Sequence, residues 1–136
     1  MVCIVGCKES TGDPITRTNP VDETPMTKAD SVIANCYLVR DAAEAFAAEN
    51  NGIYPYDTTA HKLPDGRTLI DFLPNGEYLV NPYTGARTEP WPMLGMIAGS
   101  TGISGVRSVS PYGYLIVGVD DELTELVRIE RRPWDE

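Results

Sequence analysis

The stretch from Thr27 to Pro55, TKADSVIANCYLVRDAAEAFAAENNGIYP, restricts the fold more than any other part of the chain. Apolar residues fall at Val32, Cys36, Val39, Ala43 and Phe46, with Ile33, Tyr37 and Ala47 beside them. Their spacing predicts one face of a long amphipathic helix. The Thr27 hydroxyl is placed to cap its start, and Asp30 completes a capping-box pattern with a shorter acid than the usual Glu. Ala42, Ala43, Ala45, Ala47 and Ala48 add helix propensity without side-chain entropy cost. Asn50, Asn51 and Gly52 predict the stop, because both residue types tolerate the left-handed backbone of a helix end. Pro55 bars a restart, so the helix leaves sharply through Ile53-Tyr54-Pro55.

Downstream of this helix the chain supplies a second layer. Leu63-Pro64-Asp65-Gly66 has turn chemistry. Thr68 and Asp71 repeat the box around a short helix, Leu69 to Leu73, ended by Pro74-Asn75-Gly76. Tyr78-Leu79-Val80 predicts a short strand, and Asn81-Pro82-Tyr83-Thr84-Gly85 a tight turn in which Asn81 bonds the backbone two residues on. Residues 89 to 102 read as an irregular loop. Within it Met93, Leu94, Met96 and Ile97 form an apolar patch, either half-buried under the loop or, with Trp91, Met93, Leu94 and Met96, exposed as an interaction surface. Ile103, Val106 and Val109 begin a strand-like third. Tyr112 to Val119, YGYLIVGV, is rich in β-formers, with Gly113 and Gly118 allowing close approach or a bulge. Asp120-Asp121-Glu122 makes a turn, and Leu123 to Ile129 returns. The expected fold class is α+β: one long N-terminal helix on a small antiparallel sheet of three to four strands.

The 136 residues suit one domain, and a hydrophobic content of 42% suffices for a core. The formal net charge of −9 argues against a nucleic-acid partner, which needs basic patches. Arg128, Arg131 and Arg132 are balanced by Glu130, Asp135 and Glu136. No run of about 18 apolar residues predicts a membrane helix. The cysteines, Cys3, Cys7 and Cys36, are odd in number and do not form a paired disulfide or zinc spacing.

The N-terminal region, residues 1 to 26, falls outside the predicted globular part, 27 to 136. Ile4-Val5-Gly6-Cys7 has the pattern of a bacterial lipobox, whose cysteine, Cys7, takes the lipid. Such a signal also needs basic residues and a longer apolar segment ahead of the box, so this reading expects a start further upstream. The alternative is a short apolar strand or frayed end with free thiols. Lys8 to Met26 is rich in Pro, Ser, Thr and acidic residues and reads as a polar linker.

Catalytic patterns are missing from the sequence. Ser100, Ser104, Ser108 and Ser110 lie in Gly- and Ser-rich surroundings without a Gly-x-Ser-x-Gly elbow. The only histidine, His61, lies in a polar loop, which argues against a Ser-His triad. No catalytic residue and no cofactor is therefore expected. Asp120, Asp121 and Glu122 raise calcium as the one metal to consider, since it takes about six to eight oxygens, several from one loop.

At this level the residues resemble a family. ANCYLVRDAAEAFAAENNGIYP, Ala34 to Pro55, is similar to the helix and helix exit of type IV pilin-like proteins and type II secretion pseudopilins. TLIDFLPNG, Thr68 to Gly76, resembles the short helix and turn next in order. VNPYTG, Val80 to Gly85, resembles the turn before the sheet, and Tyr112 to Val119 a sheet strand. The likeness spans about two thirds of the 136 residues, and its short motifs come in family order. It implies a pilin-like head with a structural or interaction role in secretion or pilus assembly. Its partners would be apparatus proteins or other copies, at the bacterial cell envelope or secreted. The family's leader and membrane-anchoring half-helix have no counterpart ahead of Thr27, so a lipid on Cys7 would be the membrane contact. Major pseudopilins carry calcium in a C-terminal loop, but the spacing at Asp120 to Glu122 does not match. The alternative is a ligand-binding envelope lipoprotein reusing the fold, with Trp91, Tyr83, Tyr112 and Tyr114 lining a shallow aromatic surface.

Overall fold

The Thr27 hydroxyl accepts a hydrogen bond from the Asp30 backbone N–H at 3.0 Å and opens the helix α1, Lys28–Ala48. This computed structural model describes residues 26–105 and 113–132. The lipobox with Cys7, nearly all of the linker, and Val106, Val109 and Tyr112 lie outside the described residues. Along α1, Val32, Cys36, Val39, Ala42, Ala43, Phe46 and Ala47 are buried. Tyr37, expected beside them, is exposed at the edge of that stripe, and its ring lies 4.9 Å from the Arg40 guanidinium. Asn51 takes the left-handed conformation at φ 58°, and the Gly52 N–H donates back to the Ala47 carbonyl at 2.8 Å. These bonds satisfy carbonyls that the helix end would otherwise leave open.

The exit is tied down by one carboxylate. The Tyr54 hydroxyl donates to Glu44 Oε1, and the Tyr114 hydroxyl donates to Glu44 Oε2, both at 2.9 Å. The two rings meet edge to face at 4.9 Å. Burial first, then the bond to Glu44, pushes the Tyr54 pKa up to about 12 and raises that of Tyr114 as well. Further on, the Thr68 N–H donates to the Asp71 carboxylate at 2.8 Å and starts the short helix expected there, which is a 3₁₀ helix, Leu69–Phe72. A second 3₁₀ turn, Pro74–Gly76, comes directly after it. Phe72 meets the buried Phe46 ring edge-on at 5.9 Å. Burying a side chain of that size contributes about 1.5–3 kcal/mol.

Among the described residues the strands form two antiparallel sheets, not one. β1, Leu79–Val80, pairs with β2, Arg87–Glu89. β3, Thr101–Gly105, β4, Tyr114–Val119, and β5, Glu125–Arg131, form the second sheet in the order β3-β4-β5. The expectation of a single sheet with three to four strands is corrected to this pair. β2 escapes a periodicity reading because it is Arg-Thr-Glu, and its buried member is the Glu.

Helix α1 packs on β4, β5 and β3. In the register, Ile103, Ile116 and Ile129 lie opposite one another across the three strands. Gly118 sets how close the layers come. A Cβ there would stand 2.6 Å from Cys36 Sγ and 2.7 Å from Val32 Cγ1, inside any real contact. A bulge comes next: Gly118 faces Val127 and Val119 faces Glu125, so Leu126 has no partner on β4.

Candidate functional site

The turn after β1 forms as the Asn-Pro-Tyr-Thr-Gly run predicts. Asn81 Oδ1 accepts from the backbone N–H groups of Tyr83 (2.8 Å) and Thr84 (3.3 Å). Its amide nitrogen points the other way, donating to the Ala98 carbonyl at 2.9 Å and to Glu89 at 3.2 Å. Asn81 thus joins the turn to the loop before β3, and it is buried while doing so.

Glu89 is the centre of this cluster and is 0% exposed. Its Oε2 accepts from Asn81 Nδ2, from the Thr88 hydroxyl at 2.7 Å and from the Trp91 indole N–H at 2.8 Å. Its Oε1 accepts from the Thr101 N–H at 2.6 Å. Asn81 Nδ2, the indole N–H and the amide N–H are obligate donors, so they match a side chain that only accepts. A carboxylate taken out of water costs several kcal/mol unless such bonds replace its hydration. The thiol of Cys36 donates to Thr101 Oγ1 at 3.8 Å on the helix side of the cluster. Burial pushes the Cys36 pKa up to about 11; the charge of Glu89 adds to this and the Thr101 bond opposes it. This thiol is consequently a poor nucleophile at neutral pH.

Trp91 is aimed by the same cluster. Its N–H donates to the Thr101 carbonyl and its carbonyl accepts from the Ile103 N–H, both at 2.9 Å, making a parallel bridge with Gly102. A side chain at Gly102 would collide with the Met93 carbonyl, so only glycine lets this segment cross β3. The Trp91 side chain, half-buried, then borders an open groove of about 580 Å³. Asp57, Thr58, Tyr78, Arg87 and Pro90 also line it. Both walls are held locally. Asp57 Oδ1 accepts from the N–H groups of Thr59 (2.9 Å) and Ala60 (3.0 Å). Arg87 donates to the Tyr78 carbonyl at 3.0 Å and pairs with Glu77 at 3.1 Å. The lining of this open groove combines one indole and one phenol with charged side chains at its rim.

The residues expected at an interaction surface divide. Met93 and Met96 are 43% and 68% exposed, whereas Leu94 is half-buried and Trp91 faces the groove. The aromatic surface read from the sequence is corrected. Tyr114 is only 2% exposed, locked between Glu44 and Tyr54, and cannot line a surface. Tyr83 is half-buried with the Lys28 ammonium 5.6 Å from its ring. Asp120 directs one oxygen at its own hairpin, accepting from the N–H groups of Glu122 (2.8 Å) and Thr124 (2.9 Å). Among the described residues, Asp120, Asp121 and Glu122 are not gathered into a metal-holding cluster. Ser100 is buried, and His61 lies against Phe46 and Tyr56, so the structure gives them different surroundings.

Sequence reading missed Glu89 and the buried role of Asn81. The only available signal was a carboxylate between a polar triplet and Pro90, which periodicity scores as loop. No family model, curated protein or solved structure matches this chain.

Proposed function

We propose that this chain is a non-enzymatic, pilin-like head that acts through protein contacts in a secretion or pilus-related assembly at a bacterial envelope. The observation that supports it is where the family-like motifs lie. The Asn-Asn-Gly-Ile-Tyr-Pro exit is fastened to β4 through Glu44, and Asn-Pro-Tyr-Thr-Gly is fastened to the β3 loop through Glu89. These motif residues brace an α+β unit that presents Met93 and Met96 outward. A lipid on Cys7 would tether the head, with the polar linker as spacer. A photo-cross-linker at Met96, used in the native host, tests the reading. Capture of a secretion or pilus subunit supports it; adducts only with small molecules or lipid refute it. Intact mass of the native chain decides separately whether Cys7 carries acyl groups.

The groove favours a second reading, a ligand-binding envelope protein on the same fold. Trp91 and Tyr78 offer aromatic contact, with Asp57 and Arg87 as polar partners. Binding on a glycan or peptide array that Trp91→Ala abolishes supports this reading, and no binding to either array sinks it.

A further inference from the structure

β5 ends its sheet. Among the described residues it has one strand neighbour, β4, and seven residues, Glu125–Arg131, without Gly or Pro. The other edges differ: β1 and β2 are two and three residues long, and β3 is partly covered by the Trp91 bridge. A strand of that length, with one side unpaired among the described residues, presents a row of backbone donors and acceptors there. Charged side chains, proline and bulges are common ways to keep other strands off such an edge. β5 has its bulge at its start, by Leu126, and carries Glu125, Arg128, Glu130 and Arg131, whose charges balance within the strand although the chain as a whole has a net charge of −9, so they repel most strands but can match a copy of themselves.

The pattern is self-complementary. Val127 lies on the helix side, because a Cβ on Gly118 would meet Val127 Cγ1 at 3.3 Å as well as Cys36 and Val32. Ile129 shares that side, opposite Ile116, and Arg128 and Glu130 are exposed on the other. Arg128 already holds Glu125 of its own strand at 2.9 Å, but its five donors leave bonds to make.

We infer that β5 is a homotypic docking edge, on which a second copy of this chain pairs antiparallel about a two-fold axis through Ile129. Ile129 then meets the partner subunit's Ile129. Arg128 meets the partner subunit's Glu130, and Glu130 meets the partner subunit's Arg128, on one exposed face. An axis at Arg128 or at Glu130 would set like charges opposite each other, and one at Val127 would leave every charge unmatched. Of these four registers only the one at Ile129 matches opposite charges without setting like charges against each other, and it makes one continuous six-stranded sheet with both helices on the same face. This pairing does not depend on the pilin-like reading.

Sedimentation of the full chain over a wide concentration range, at physiological ionic strength, tests it. The expected result is a reversible dimer. Glu130→Arg sets Arg against Arg at two symmetric positions and is expected to loosen the dimer about tenfold or more. The swap Arg128→Glu with Glu130→Arg should restore it. Hydrogen exchange of the unaltered chain, dilute and concentrated, should show β5 amides gaining protection on association, and needs no variant to fold. A monomer at every concentration overturns the inference. So does a dimer indifferent to Glu130→Arg, one not rescued by the swap, or one whose β5 amides stay unprotected.

Discussion

Replacing Glu89 with Gln keeps the shape of the side chain and removes its ability to accept on both oxygens. The better amide orientation keeps oxygen toward Asn81, Thr88 and Trp91, and turns the NH₂ onto the Thr101 N–H. Thr101 is 0% exposed, so its N–H then has no partner and no water. An orphaned buried donor costs about 1–3 kcal/mol. The remaining bonds also fall from charge-assisted, about 1.5–3 kcal/mol each, to neutral, about 0.5–1.5 kcal/mol. Relief from burying the charge offsets part of this. The expected net loss is about 2–4 kcal/mol, or about 10–20 °C in Tm for a domain of roughly 100 residues. Urea unfolding followed by tryptophan fluorescence should show a lower midpoint with an unchanged slope. Thr88→Val, which removes a single half-buried donor, should cost only about 1 kcal/mol. A Glu89→Gln loss under about 0.5 kcal/mol would refute the view that this carboxylate organises the loop.

Other contacts give further expected outcomes. Gly118→Ala should destabilise by about 1–3 kcal/mol through overpacking against Val32 and Cys36, and a cycle with Cys36→Ala should be non-additive in chemical denaturation. Folding lowers the His61 pKa from 6.5 because burial disfavours the imidazolium. Its contribution is therefore intact above pH 6.5 and lost as pH falls toward the folded value; His61→Gln should flatten the midpoint between about pH 8 and about pH 5. Tyr54 has the opposite sense. Its pKa rises from 10.0 to about 12, so its contribution is intact below pH 10 and lost as pH climbs through about 12. Ultraviolet titration should find this late-ionising tyrosine, and Glu44→Gln should bring its ionisation to lower pH.

Much of the fold was legible because local chemistry decides it. The Thr27 cap, the helix stop at Asn50 to Gly52, and the Asn81 turn each use a side chain or backbone preference acting within a few residues. The β-former run in Tyr114–Val119 and the close approach at Gly118 were readable for the same reason. Tertiary structure decided the rest. Glu89 becomes a core residue because Asn81 and Thr101, 8 and 12 residues away, converge on it beside its neighbours Thr88 and Trp91. Tyr114, equally plausible as surface or core, is taken inward by a glutamate 70 residues away. β2 has no apolar signature and exists because β1 lies alongside it. Pattern reports which residues favour burial, while partners distant in sequence determine which polar groups can be buried at all.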